Sequence, residues 1–101
     1  MDTFTALADP TRRQIIESLA AGESSFGELA DKFEMSRPAV SQHLKVLRDA
    51  GIVTARADAQ RRIYRLNDDG FDEVEAWLGR VRDFWSQRLD KLEQLLGEPD
   101  D

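Results

Sequence analysis

Apolar residues along the chain recur first at helical and then at extended spacing. Ile15, Ile16 and Leu19 fall on one helix face, Asp9 is a suitable N-cap, and Pro10 is tolerated at the first helical position. Gly22 ends that helix. Upstream, Phe4, Leu7 and Ala8 predict a short helical turn within 1–8, whose apolar side needs cover from this core or a second subunit. Ser25 and Glu28 have the spacing of a capping box, and Leu29, Ala30 and Phe33 supply the stripe of a short helix ending near Glu34. A third helix begins at once, with Ser36 as N-cap and Pro38 in its first turn. Val40, Leu44 and Leu47 mark its inward face, and Gly51 is its C-terminal stop. Arg37, Ser41 and Lys45, four residues apart, share another side of this helix, with Gln42 beside them.

After Gly51 the period changes. Ile52 to Ala57 and Arg61 to Leu66 read as two short strands joined by Asp58-Ala59-Gln60, although no Asn-Gly or Asp-Gly turn is present. Asn67 then caps a long final helix, with Asp68, Asp69, Asp72 and Glu73 near the positive end of its dipole. Phe71, Val74, Leu78, Val81, Trp85, Leu89, Leu92 and Leu96 follow spacings of three and four, and Trp77, Phe84 and Leu95 widen the seam. Such a face is broader than one helix needs to sit on a small core. It predicts a dimer interface of Phe4, Leu7, Val74, Trp77, Leu78, Val81, Phe84, Trp85, Leu89 and Leu92, the bland alternative being a helix folded back on its own domain.

The expected organisation is a single domain over 1–101: an N-terminal interface segment (1–8), a helix-turn-helix (25–51), a hairpin (52–66) and a C-terminal dimerisation helix (67–97). The fold class is mainly α with a small β-hairpin wing. No apolar run is long enough for a membrane span, and the N-terminus lacks the layout of a signal peptide, so the expected location is cytoplasmic. With no cysteine, disulfides, thiolate ligands and thiol redox sensing are excluded, and one histidine, His43, does not make a metal site.

The net charge of −6 argues against a nucleic-acid partner only as an average. Between Ser36 and Arg65 lie seven basic residues against two acidic ones, a local charge of +5. The remainder carries seven basic and eighteen acidic residues, or −11. One basic stretch on an acidic body is the asymmetry of a protein that meets phosphate with one face.

Two short helices and a basic hairpin outline a winged helix-turn-helix, in which the second helix enters the major groove and the wing reaches backbone or minor groove. The candidate DNA-binding residues are Ser36, Arg37, Ser41, Gln42, His43, Lys45, Arg56, Arg61, Arg62 and Tyr64. Gln42 and Arg37 have the donor geometry to read adenine and guanine, while Lys45, Arg56, Arg61 and Arg62 suit phosphate. Tyr64 either donates to phosphate or packs the wing on the core. For Arg12 and Arg13, a solvated or ion-paired role is favoured over DNA contact. No triad, phosphate loop or ligand cluster supports an enzyme or a cofactor. The rival reading is a protein-protein interaction module using the C-terminal seam; the concentration of arginines on helix and wing argues for DNA.

The runs Ala6–Ile16, Leu29–Phe33 and especially Ser36–Val53 resemble the ArsR/SmtB family of winged-helix repressors, and the likeness extends through Tyr64-Arg65-Leu66. The resemblance implies a homodimer, joined through terminal helices, that binds a pseudo-palindromic operator and is released by an inducer. The sequence departs from the metal-sensing members: Ser25-Phe26-Gly27 stand where those carry paired cysteines, and the last helix has no histidine. The implied regulator has a non-metal or unknown inducer; aromatic residues on the last helix make an organic ligand one candidate, with packing the stronger use for them.

Overall fold

The computed structural model describes residues 2–97; the first residue and the last four of the expected 1–101 domain lie outside the described residues. The chain divides into two compact units, one ending at Phe71 and one beginning at Asp72. The first holds α1 (Thr3–Leu7), α2 (Pro10–Ala20), β1 (Ser24–Ser25), α3 (Phe26–Lys32), α4 (Arg37–Asp49), β2 (Val53–Asp58), β3 (Arg61–Leu66) and a 3-10 turn (Asp68–Phe71). The second is α5 (Asp72–Leu96).

Each helix start in the first unit is written in local hydrogen bonds. Asp2 accepts from Thr5 N, Asp9 from Arg12 N, Ser25 from Glu28 N and Ser36 from Ala39 N. Glu28 returns the bond to Ser25 N at 2.9 Å and closes the capping box. Gly22 and Gly51, at φ of 152° and 81°, terminate α2 and α4 where a side chain would be strained. Arg12 and Arg13 do not face solvent alone. Arg12 Nε donates to Ala6 O and Arg13 Nη1 to Leu7 O and Ala8 O, so both satisfy carbonyls at the end of α1 and fasten it to α2.

The core is built from Ala6, Ile15, Leu19, Leu29, Val40, Leu44, Leu47, Ile52, Val53 and Tyr64, with Leu7 and Phe71 among the half-buried residues packed against it. The sheet has three antiparallel strands in the order β1-β3-β2, one more than the hairpin expected. Ser24 and Ser25 pair with Tyr64 and Ile63, making β3 central. Central position explains why β3 does not alternate: adjacent Ile63 and Tyr64 point to opposite faces and both are buried. The hairpin connection is Ala59-Gln60, because Asp58 still pairs with Arg61, and Ala59 takes the positive φ of 56° that glycine usually supplies.

The expected long helix from Asn67 is divided. Asn67 precedes the 3-10 turn, its backbone N–H donates to Ile52 O and its side chain donates to Gly51 O at 2.9 Å, so it ties the exit of the wing to the exit of α4. A Cβ placed on Gly70 would fall 2.9 Å from Ile52 Cα and nearer still to Gly51 O, so a methyl group has no room. Phe71 consequently belongs to the core of the first unit and not to the seam of the last helix.

In α5, Asp72, Glu73 and Glu75 occupy the first turn, where the helix dipole favours them. No α5 residue is buried. Val74 and Val81 are half-buried, while Leu78, Phe84, Trp85, Leu89 and Leu92 are exposed.

Gly70→Ala should destabilise the first unit by about 1–3 kcal/mol, because backbone and not a flexible side chain blocks the added carbon; denaturant titration measures it. The N-cap bonds hold Asp2, Asp9 and Glu28 below their ordinary carboxylate values, in each case first through backbone N–H groups, of Thr5, Arg12 and Ser25 respectively. Lowered folded-state values mean that this stability is complete above the ordinary range and is lost as pH falls through the folded values. The thermal midpoint should therefore decline below about pH 4.5. Asp9→Asn, which keeps a good cap but removes a titrating group, should show a smaller decline in the same series.

Candidate nucleic-acid interface

Burial of Val40, Leu44 and Leu47 against the core turns the opposite side of α4 outward. There Arg37, Ser41, Lys45 and Arg48 form one wall of a groove of about 580 Å³, and Gln60, Arg61, Arg62 and Tyr64 of the wing form the other. Ser25, Phe26 and Gly27 also line it. Five of the eleven lining residues are cationic and none is acidic. The residues that line the groove thus favour a negative ligand, and its walls come from the two elements that a winged helix-turn-helix applies to DNA.

The candidates read from sequence separate within this geometry. Arg37, Ser41, Lys45, Arg61, Arg62 and Tyr64 line the groove together. Tyr64 is 7% exposed and part of the hydrophobic core, so packing is its main role, with Arg62 lying 5.8 Å above its ring. Ser36 serves as the N-cap of α4. Gln42 is exposed on α4 but does not line the groove. His43 is on a different side of the helix: its Nδ1 sits 3.4 Å from Arg12 Nη1 and 4.0 Å from Asp9 Oδ2, against the start of α2. Arg48 and Gln60 complete the groove and were not among the candidates. Arg48 lies three residues after Lys45, a helical spacing that placed it on the same wall and was available in the sequence.

Several cations already have carboxylate partners. Arg56 makes two bonds to Glu23, Arg61 Nη2 lies 3.2 Å from Glu28 Oε1, Lys45 Nζ lies 3.2 Å from Asp49, and Arg37 is 3.8 Å from Asp31. The bonds from Arg56 hold Glu23 below its ordinary value and in turn raise that of Arg56. Arg48 and Arg62 have no ion pair among the described residues.

The described residues do not fit a metal. At Ser25-Phe26-Gly27, where the family resemblance implies paired cysteines in metal-sensing members, Ser25 has its Oγ committed to the cap of α3, and the chain has no cysteine. No group of three histidine or acidic residues among those described is arranged to hold an ion. No helix of the described residues is long and apolar enough to cross a membrane.

The profile of bacterial regulatory proteins of the arsR family matches residues 9–55. The HTH-type transcriptional regulator Rv2034 of Mycobacterium tuberculosis is 46% identical over 97% of this chain and 89% of its own length. The transcriptional repressor SdpR of Bacillus subtilis is 32% identical over 76% of this chain and 86% of its own. A crystal structure of a possible transcriptional regulator for arsenical resistance superposes with a TM-score of 0.74 at 40% identity, covering 97% of this chain and 99% of that one. With the helical body, the three-stranded wing and these likenesses in agreement, the chain belongs to the arsR family of bacterial regulatory proteins.

Proposed function

We propose that this protein is a sequence-specific, DNA-binding transcriptional repressor that acts as a homodimer, without catalytic activity and without a metal inducer. The observation that carries this reading is the groove between α4 and the wing, lined by five cations and no acid on a chain whose net charge is −6. The relatives named as transcriptional repressors support the direction of regulation. In this reading Arg37 and Gln42 meet base edges in the major groove, while Lys45, Arg48 and Arg62 contact phosphate. The exposed apolar residues of α5 supply the dimer contact, since Trp85 at 56% and Leu89 at 58% exposure are costly to leave in water. A two-fold dimer then reads half-sites about 34–36 Å apart, or a multiple of that, on a pseudo-palindromic operator.

Titrating the protein with its own promoter region at several salt concentrations tests the central reading; a folded protein with no preference for that duplex over a scrambled one would contradict it. Arg62→Ala should weaken binding to every duplex alike and make the salt dependence shallower by about one unit, whereas Gln42→Ala should change which sequences are preferred. If both variants lost affinity uniformly, Gln42 would not be reading bases. Leu89→Glu should convert the dimer to monomer in sedimentation velocity with little change in the helical content of the chain. A variant that remained dimeric would remove α5 from the interface.

A further inference from the structure

Two of the wing arginines are not presented bare. Arg56 donates through Nη1 and Nη2 to the two oxygens of Glu23, at 2.9 and 2.7 Å. Arg61 donates to Glu28 Oε1 at 3.2 Å. A guanidinium held by two oxygens of one acid adopts the fork geometry with which it would grip a phosphate, and the same N–H groups cannot serve both partners together.

We propose that Glu23 and Glu28 are intramolecular stand-ins for DNA phosphate, holding Arg56 and Arg61 in the free protein and giving them up when the wing docks. The proposal rests on the DNA-binding reading above and adds to it two acidic residues that govern how tightly, and with what salt dependence, the protein binds.

The acids are held in place by the fold and not only by the arginines. Glu23 directly precedes β1, whose residues are paired with β3, so its carboxylate reaches across the central strand to β2. Glu28 is anchored by the capping box, its Oε1 accepting from Ser25 N at 2.9 Å. All four side chains are about half exposed, with fractions between 47% and 60%, a setting in which one ion pair shifts an equilibrium by only a few-fold. A phosphate can displace such a pair, yet the pair still competes. Arg62, by contrast, has an aromatic ring beneath it and no carboxylate partner among the described residues. Of these wing cations, Arg56 and Arg61 must be exchanged, whereas Arg62 is ready.

Charge gives the proposal a signature. Once displaced, the carboxylate stays beside the DNA and offsets the charge its arginine brings, so docking releases less condensed counterion than docking a lone arginine. Removing the carboxylate should steepen the slope of log K against log salt by about 0.9.

The test uses the full chain with Glu23→Gln and Glu28→Gln, each near in size to the original; glutamine at position 28 also keeps the capping box. Fluorescence anisotropy with promoter and random-sequence duplexes, at several sodium chloride concentrations, is the readout. Each variant should bind both duplexes about two- to five-fold more tightly at low salt, with the steeper slope. Adding Arg56→Ala to the first variant, or Arg61→Ala to the second, should abolish the gain. Unchanged affinity and slope would overturn the displacement. Weaker binding would overturn it too, by making the acids supports that orient the arginines toward phosphate. Failure of the unmodified protein to bind either duplex at any salt would instead bring down the DNA-binding reading together with this extension of it.

Discussion

Burial of Val40, Leu44 and Leu47 along one side of α4 is the interaction on which the interface depends. These three side chains fix the rotation of the helix about its own axis, and so determine which residues remain outside. Arg37, Ser41, Lys45 and Arg48 are presented together because the apolar residues between them are held by α2, α3 and the wing. The junction after α4 extends the constraint. Ile52 and Val53 carry the core directly into β2, and Asn67 binds the backbone at Gly51 and Ile52, so the hairpin leaves and returns at one fixed point. Close contact at Gly70 is the geometric consequence of that fastening.

Electrostatics is arranged around this frame. The basic stretch from Ser36 to Arg65 is set on an acidic body, and four acids in or beside it each hold one of its cations: Glu23, Glu28, Asp31 and Asp49. Exposed pairs of this kind contribute little to stability. Their effect is on which positive charges are available to a polyanion, and that availability is what distinguishes Arg48 and Arg62 from Arg56 and Arg61. The helix caps use carboxylates differently. Asp2, Asp9 and Glu28 accept backbone N–H bonds, which define helix starts and favour the ionised form.

Much of the fold was legible because its signals are local. Asp9, Ser25 and Ser36 mark helix starts within three residues of themselves, Gly22 and Gly51 mark ends by backbone conformation, and the apolar face of α4 recurs within one helix. The charge asymmetry that pointed to DNA, and the absence of cysteine that removed a thiolate metal site, are properties of composition alone. What escaped depends on residues distant in the chain. β1 is two residues long and exists only because β3 offers it a partner, and the burial of both Ile63 and Tyr64 follows from that third strand. Periodicity assigned Phe71 to the last helix, but the fastening of Asn67 to Gly51 starts a 3-10 turn and delivers Phe71 to the core. His43, a candidate DNA-binding residue by its place on the second helix, is turned by the packing of α4 toward Asp9 and Arg12.

The sequence by itself therefore determined the main helices and the hairpin, the face of α4 that is apolar, and the sign of the charge on the α4 and wing segment, since all of these follow from residue type and spacing. Only the tertiary structure decided which of the seven basic residues stand free and which are held by Glu23, Glu28, Asp31 or Asp49. The reason is physical: a cation's availability depends on what lies within about 4 Å of its tip, and three of those four neighbours come from a different element of the chain.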